Sequence, residues 1–184
     1  MLLSLLLAAS VQAAPTSATC EVDRSVVLAL SLEEFDQDPH AGWRVLAARP
    51  DCKLAAADLI RDYRAANGRN ESILLWHEGQ MRASAGDASG AVSLMEQSRR
   101  GPEDQFGWNL YVDSTIAFLR RDRTALLSAR EALSRIPRPA DFDPRDQQGR
   151  PLQVEWPMNL RVVDALIKCF DRSYAVAYGR TCRQ

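Results

Sequence analysis

The chain has 184 residues, 46% of them hydrophobic and 26% charged, and its 23 Lys and Arg against 24 Asp and Glu leave a net charge of −1. That length supports one domain with a real core. The interspersed signs exclude the basic surface that nucleic acid or an anionic membrane demands.

Leu2 to Ala9 form an apolar run too short to span a bilayer, and Val11-Gln12-Ala13 reads as a small-residue cleavage site. Together they predict a signal peptide over residues 1–13, removed after Ala13; a buried N-terminal helix is the competing account. Cys20 lacks the upstream leucine of a lipidated cysteine. A mature protein in the periplasm or secreted is expected, folded as one helical domain over residues 20–184, with no transmembrane segment. Val26, Val27, Leu30, Leu32 and Phe35 follow, with Ser31 and Glu34 in capping-box spacing, and predict an initial helix that can break at Ser31.

Residues 43–66 read as a helical hairpin, with Pro50-Asp51 as the turn and Leu54, Ala57, Ile60 and Tyr63 as the inward stripe; Asn67-Gly68 closes it. The clearest hairpin spans 72–100. Gly86 can take the left-handed conformation that ends its first helix, and Asp87 can cap the second, on which Ala88, Ala91, Val92 and Met95 share a face. Gly79 inside the first helix costs about 1 kcal/mol against alanine, so a close approach to Ala91 is expected.

Residues 108–136 repeat the pattern. Trp108, Tyr111, Val112, Ile116 and Leu119 make one stripe, Asp122 is a cap, and Ala125, Leu126, Ala129, Ala132, Leu133 and Ile136 align before Pro137. Ala57, Ala91 and Ala125 are spaced 34 residues apart, each near the start of a second helix. Five prolines between residues 137 and 157 exclude long regular elements there, and Phe142 and Trp156 are the expected anchors of this connection. Asn159 can cap a further helix bearing Leu160, Val163, Leu166, Ile167 and Phe170; a shorter one runs from Tyr174 to Tyr178. These helices over 159–178 are read as a terminal cap.

The spacing of Gly79, Gly86 and Ala91, and of Ala125, Ala132 and Pro137, resembles the tetratricopeptide repeat. Arg82 and Ile116 stand where that family carries an aromatic, and Asp113 replaces one small residue. The resemblance implies an all-α fold of two to three stacked antiparallel hairpins. It also implies a concave face made by the first helix of each hairpin, presenting Trp76, His77, Gln80 and Ser84, then Leu110, Ser114 and Phe118, to a protein or peptide partner. The paired basic and amide residues that clamp a peptide carboxylate in some members are absent from this face.

Four cysteines in an exported chain predict two disulfides, for which three pairings exist. Cys20 with Cys52 and Cys169 with Cys182 is favoured, since each closes a modest loop. The second pair requires a bend, because on one continuous helix its members would stand about 20 Å apart.

His77-Glu78 is the most tempting chemical pair, yet adjacent helical residues diverge by about 100° and no second histidine follows one turn later. Asp141, Asp143 and Asp146 lack the glycine and distal glutamate of a calcium loop, and Ser114 and Thr115 lack a nucleophile elbow. Trp43, Trp76, Trp108 and Trp156 read first as core. No catalytic set, cofactor or metal site is expected. The favoured function is non-catalytic protein binding, in a specific form as an inhibitor or immunity protein against an envelope-acting effector, as a monomer or small oligomer. The rivals are an envelope hydrolase using His77 and Glu78, and a structural subunit of an envelope complex.

Overall fold

The computed structural model describes residues 20–102, 104–146 and 148–184; the expected leader and its cleavage after Ala13 lie outside them. Ten α-helices are present among the described residues, with no strand beyond one isolated bridge between Arg145 and Pro151. They are α1 (Arg24–Leu28), α2 (Leu32–Asp36), α3 (Arg44–Ala47), α4 (Lys53–Asn67), α5 (Ser72–Ser84), α6 (Ala88–Gln97), α7 (Trp108–Leu119), α8 (Arg123–Ser134), α9 (Leu160–Lys168) and α10 (Tyr174–Ala177). None is long and apolar enough to cross a membrane.

Helix boundaries follow local chemistry. Ser31 and Glu34 form a reciprocal capping box, which breaks the initial segment into α1 and α2. Asp87 accepts from the Gly90 amide and Asp122 from the Ala125 amide, so each caps its helix as its position suggested. Gly86 takes φ +91° at the end of α5, and Arg121 takes the same left-handed turn at φ +58° after α7. A hydrogen bond to the Phe170 carbonyl and stacking on Phe118 hold Arg121 there. Asn159 precedes α9 in a left-handed conformation and makes no side-chain cap, so its tolerance of positive φ, rather than its amide, suits it to the place.

The hairpins α5–α6 and α7–α8 pack closely, as expected. Gly79 makes the first possible: a Cβ there would lie 3.1 Å from Met95 Cγ and 3.2 Å from the Ala91 carbonyl. The expected hairpin over 43–66 is different. Its first helix, α3, is a single turn joined to α4 by a 3-10 turn at Pro50–Cys52, and the extensive partner of α4 is α5.

Two apolar clusters meet at α5. One gathers Phe35, Trp43, Leu46, Leu59, Ile60, Tyr63 and Leu74; the other gathers Trp76, Met95, Trp108, Tyr111, Phe118, Leu133, Leu166 and Tyr174. A helix that is buried on opposite sides needs apolar residues all round, which is how Leu74, Leu75, Trp76 and Ala83 are distributed. The chain returns at its end: α9 lies on α7 and α8, and α10 packs against α5 and α9. Cys20 is bonded to Cys52 and Cys169 to Cys182, the bend after α9 bringing the latter Cα atoms to 6.2 Å. Phe142 and Trp156 anchor the Pro-rich connection, with ring centroids 4.9 Å apart; Phe106 joins them, and the Trp156 indole donates to the Ile136 carbonyl.

Candidate functional site

Along α5 the polar residues face three different surroundings. His77 points toward α2, where its Nδ1 lies 2.7 Å from Asp36 Oδ1. The same carboxylate accepts from the Trp43 indole at 3.0 Å and from the Gln37 amide, while Arg44 Nε donates to the Asp36 carbonyl at 2.7 Å. Asp36 is fully buried. Burial alone raises its carboxyl; the hydrogen bond and charge of His77, the Trp43 indole and the Arg44 charge outweigh that and leave it below the ordinary value. His77 is partly exposed, and its ring borders a cleft of about 370 Å³ that Trp43, Arg44, Gln80, Met81 and Tyr178 also line.

Glu78, one residue on, belongs to a separate network. Its side chain is 3% exposed and accepts from Arg64 at 2.6 Å and from Arg82 at 3.2 Å; Arg82 reaches on to Asp58 and Asp87. The structure therefore does not bring His77 and Glu78 to one point, and the residue that orients His77 is Asp36. Sequence reasoning missed it because the two lie 41 positions apart with no motif between them.

The face expected to be an open concave groove is not open. Trp76, Gln80, Ser114 and Phe118 are buried, while His77, Ser84 and Leu110 are partly exposed. Trp76 packs edge-on to Trp108 at 5.1 Å and beside Tyr111, Gln80 donates to the Tyr174 hydroxyl at 3.3 Å, and Phe118 meets Phe170 and Tyr174. Helix α10 packs against α5 at this seam. Burial pushes the Tyr111 and Tyr174 phenols well above their ordinary value, in keeping with this closed seam. What remains are separate hollows, one holding His77, Gln80 and Tyr178 and another holding Ser84, Phe118 and Tyr174.

A larger opening lies on another side of the hairpins. Helix α6 meets α7 only lightly, and a groove of about 410 Å³ runs over α7 toward α8. Leu110, Ile116 and Ala117 form its floor, and Ala125, Ala129 and Ala132 its α8 wall. Its rim carries an ion-pair chain, Asp113 to Arg99 at 2.7 Å, Arg99 to Glu96 at 2.8 Å and Glu96 to Arg120 at 3.5 Å. The expected stripe of α8 thus divides. Leu126 and Leu133 are buried, whereas Ala125 is exposed and Ala129 and Ala132 are half-buried. Ala57 and Ala91, the earlier members of the 34-residue series, are fully buried.

Two acidic residues of the Pro-rich connection are held by arginines: Asp143 pairs with Arg145, and Asp146 accepts from the Gln148 and Arg150 amides and pairs with Arg150. No three His, Cys, Asp or Glu side chains among the described residues are grouped to hold a metal. Comparison with protein-family models, with curated proteins and with solved structures gives no match.

Proposed function

We propose that this is an exported, non-catalytic protein-binding module of stacked helical hairpins, diverged from the tetratricopeptide pattern, and that its partner surface is the groove over α7. The observation that carries the reading is the fate of the 34-residue alanine series. Ala57 and Ala91 are covered by neighbouring helices, while Ala125, Ala129 and Ala132 stand beside an apolar floor with nothing over them. Small side chains on a helix allow another helix to approach closely, and a shallow apolar trough between charged rims suits the apolar face of an amphipathic helix. The stretch of α7 from Leu110 to Arg120 is about 15 Å long, room for roughly three turns. The two disulfides support an oxidising compartment, and in its narrower form the proposal makes the partner an envelope-acting effector that this protein inhibits.

Ala129→Arg and Ser128→Arg place a long cation in the trough without touching Leu126 or Leu133. Both variants are expected to keep the parent melting temperature and to lose a partner that co-purifies with the parent from periplasmic extract. A partner retained by both variants would remove the groove from consideration.

A further inference from the structure

The cleft between α3, α5 and Tyr178 shares no residue with the α7 groove and is independent of it. His77 enters this cleft as an oriented acceptor. The buried Asp36 carboxylate can only accept, so the neutral ring carries its proton on Nδ1 and presents a lone pair on Nε2. Nε2 makes no hydrogen bond among the described residues, and the ring borders the cleft. Such a lone pair takes either a hydrogen-bond donor or a metal ion. Met81 stands one turn further along α5, half-buried, and lines the same cleft with a polarizable thioether. We propose that His77 and Met81 bind a soft monovalent cation, copper(I), through the imidazole Nε2 and the thioether sulfur.

Spacing, support, charge and the state of the cysteines agree on that ion. Residues i and i+4 of a helix have Cβ atoms about 6 Å apart, the spacing at which two histidines share one zinc ion. A thioether in the second place exchanges a borderline donor for a soft one, and soft donors select copper(I). A carboxylate on the far nitrogen is the usual support of a metal-bound imidazole, because it fixes the ring and raises its basicity. Asp36 supplies it at 2.7 Å and is itself steadied by the Trp43 indole. Arg44 also lines the cleft, with its charge set against that of Asp36, so the two together leave no net charge there. A monovalent ion meets the guanidinium at about half the electrostatic cost of a divalent one, which disfavours zinc(II) and copper(II). The four cysteines are all in disulfides, so no thiolate competes. Met95 is fully buried, and His40, the other histidine, is exposed before α3.

The probe is silver(I) nitrate in chloride-free buffer, a soft monovalent ion that leaves the disulfides oxidised. It is added to the disulfide-intact mature protein and followed by the nuclear magnetic resonance shifts of the Met81 methyl group and the His77 ring. Both signals are expected to move together and to stop at one equivalent, with a dissociation constant of about 10 μM or tighter. Met81→Leu keeps the volume of the apolar wall and the parent melting temperature; read by the His77 ring, it is expected to weaken binding at least roughly tenfold. His77→Gln can still donate to Asp36 and is expected to lose the site; should it fail to fold, Met81→Leu decides. Zinc(II) at the same concentration is expected to leave the Met81 methyl unmoved. A Met81→Leu protein that binds silver(I) like the parent overturns the proposal. So does loss of the site in His40→Ala, an equal response of the methyl to zinc(II), or a methyl that stays unmoved at about ten times the expected dissociation constant.

Discussion

The carboxylate of Asp36 on α2 holds Nδ1 of His77 on α5 at 2.7 Å, and the Trp43 indole shares the same oxygen. One buried group thereby joins three segments, and Arg44 Nε adds a hydrogen bond to the Asp36 carbonyl. Asp36→Asn keeps the shape but alters the charge and half of the acceptor capacity, and is expected to cost about 2 kcal/mol in urea unfolding at neutral pH.

The pH dependence of that cost has a defined sign. The Asp36 carboxyl is lowered in the folded state, so its contribution is complete above the unfolded value of about 3.9 and is lost as pH falls through the lower folded value. The stability gap between parent and Asp36→Asn, measured by urea unfolding, is expected to close as the solution is made acid enough to protonate the folded carboxylate. A gap that is undiminished in strongly acid solution would contradict the assignment.

Glu78 neutralises two guanidinium groups that are each about five-sixths buried. Glu78→Ala leaves both without their shared partner and is expected to cost about 3 kcal/mol, measured by denaturant unfolding. Double replacement with Arg64→Met should recover part of that loss, since the uncompensated charge is then fewer by one.

Gly79 marks the closest approach of α5 and α6. Gly79→Val inserts a branched side chain against Met95 and the Ala91 carbonyl, and overpacking of this kind is expected to cost about 2 kcal/mol despite the gain in helix propensity. Met95→Ala in the same background should relieve part of the crowding, which a thermal melt of the single and double variants would read.

The Cys169–Cys182 bridge closes a loop of sequence separation 13 around α10. Replacing both cysteines by alanine is expected to cost about 3 kcal/mol and to raise amide exchange in α10 before it rises in α4. Simultaneous loosening of α4 would mean that the bridge serves the whole fold instead of its end.

Turn and cap positions were legible because they are local: Ser31 with Glu34, Gly86 with Asp87, and Asp122 each satisfy backbone groups a few residues away. The cysteine pairing was favoured, out of three possible, because each bridge closes a modest loop, and the structure has those two bonds. The candidate site was not. Whether Trp76, Gln80 and Phe118 face a ligand or another helix depends on where Tyr174 lands, 94 positions beyond Gln80, and an amphipathic stripe looks the same in either case. Ala125 illustrates the converse: it lies in an apolar stripe that reads as a buried seam, yet no later segment among the described residues comes to cover it. The preference of α4 for α5 over α3 was hidden for a related reason, since the pattern of Leu59, Ile60 and Tyr63 names an apolar face without naming its neighbour.

The return of α10 to α5 has an architectural consequence. An open array of helical pairs can gain or lose a unit at little cost, because each touches only those on either side. Here α10 is seated on α5 and the Cys169–Cys182 bridge ties its far end to the end of α9, so the helices between α5 and α9 must span a set distance. A pair of helices inserted after Ser98 would pull α10 off its seat on α5.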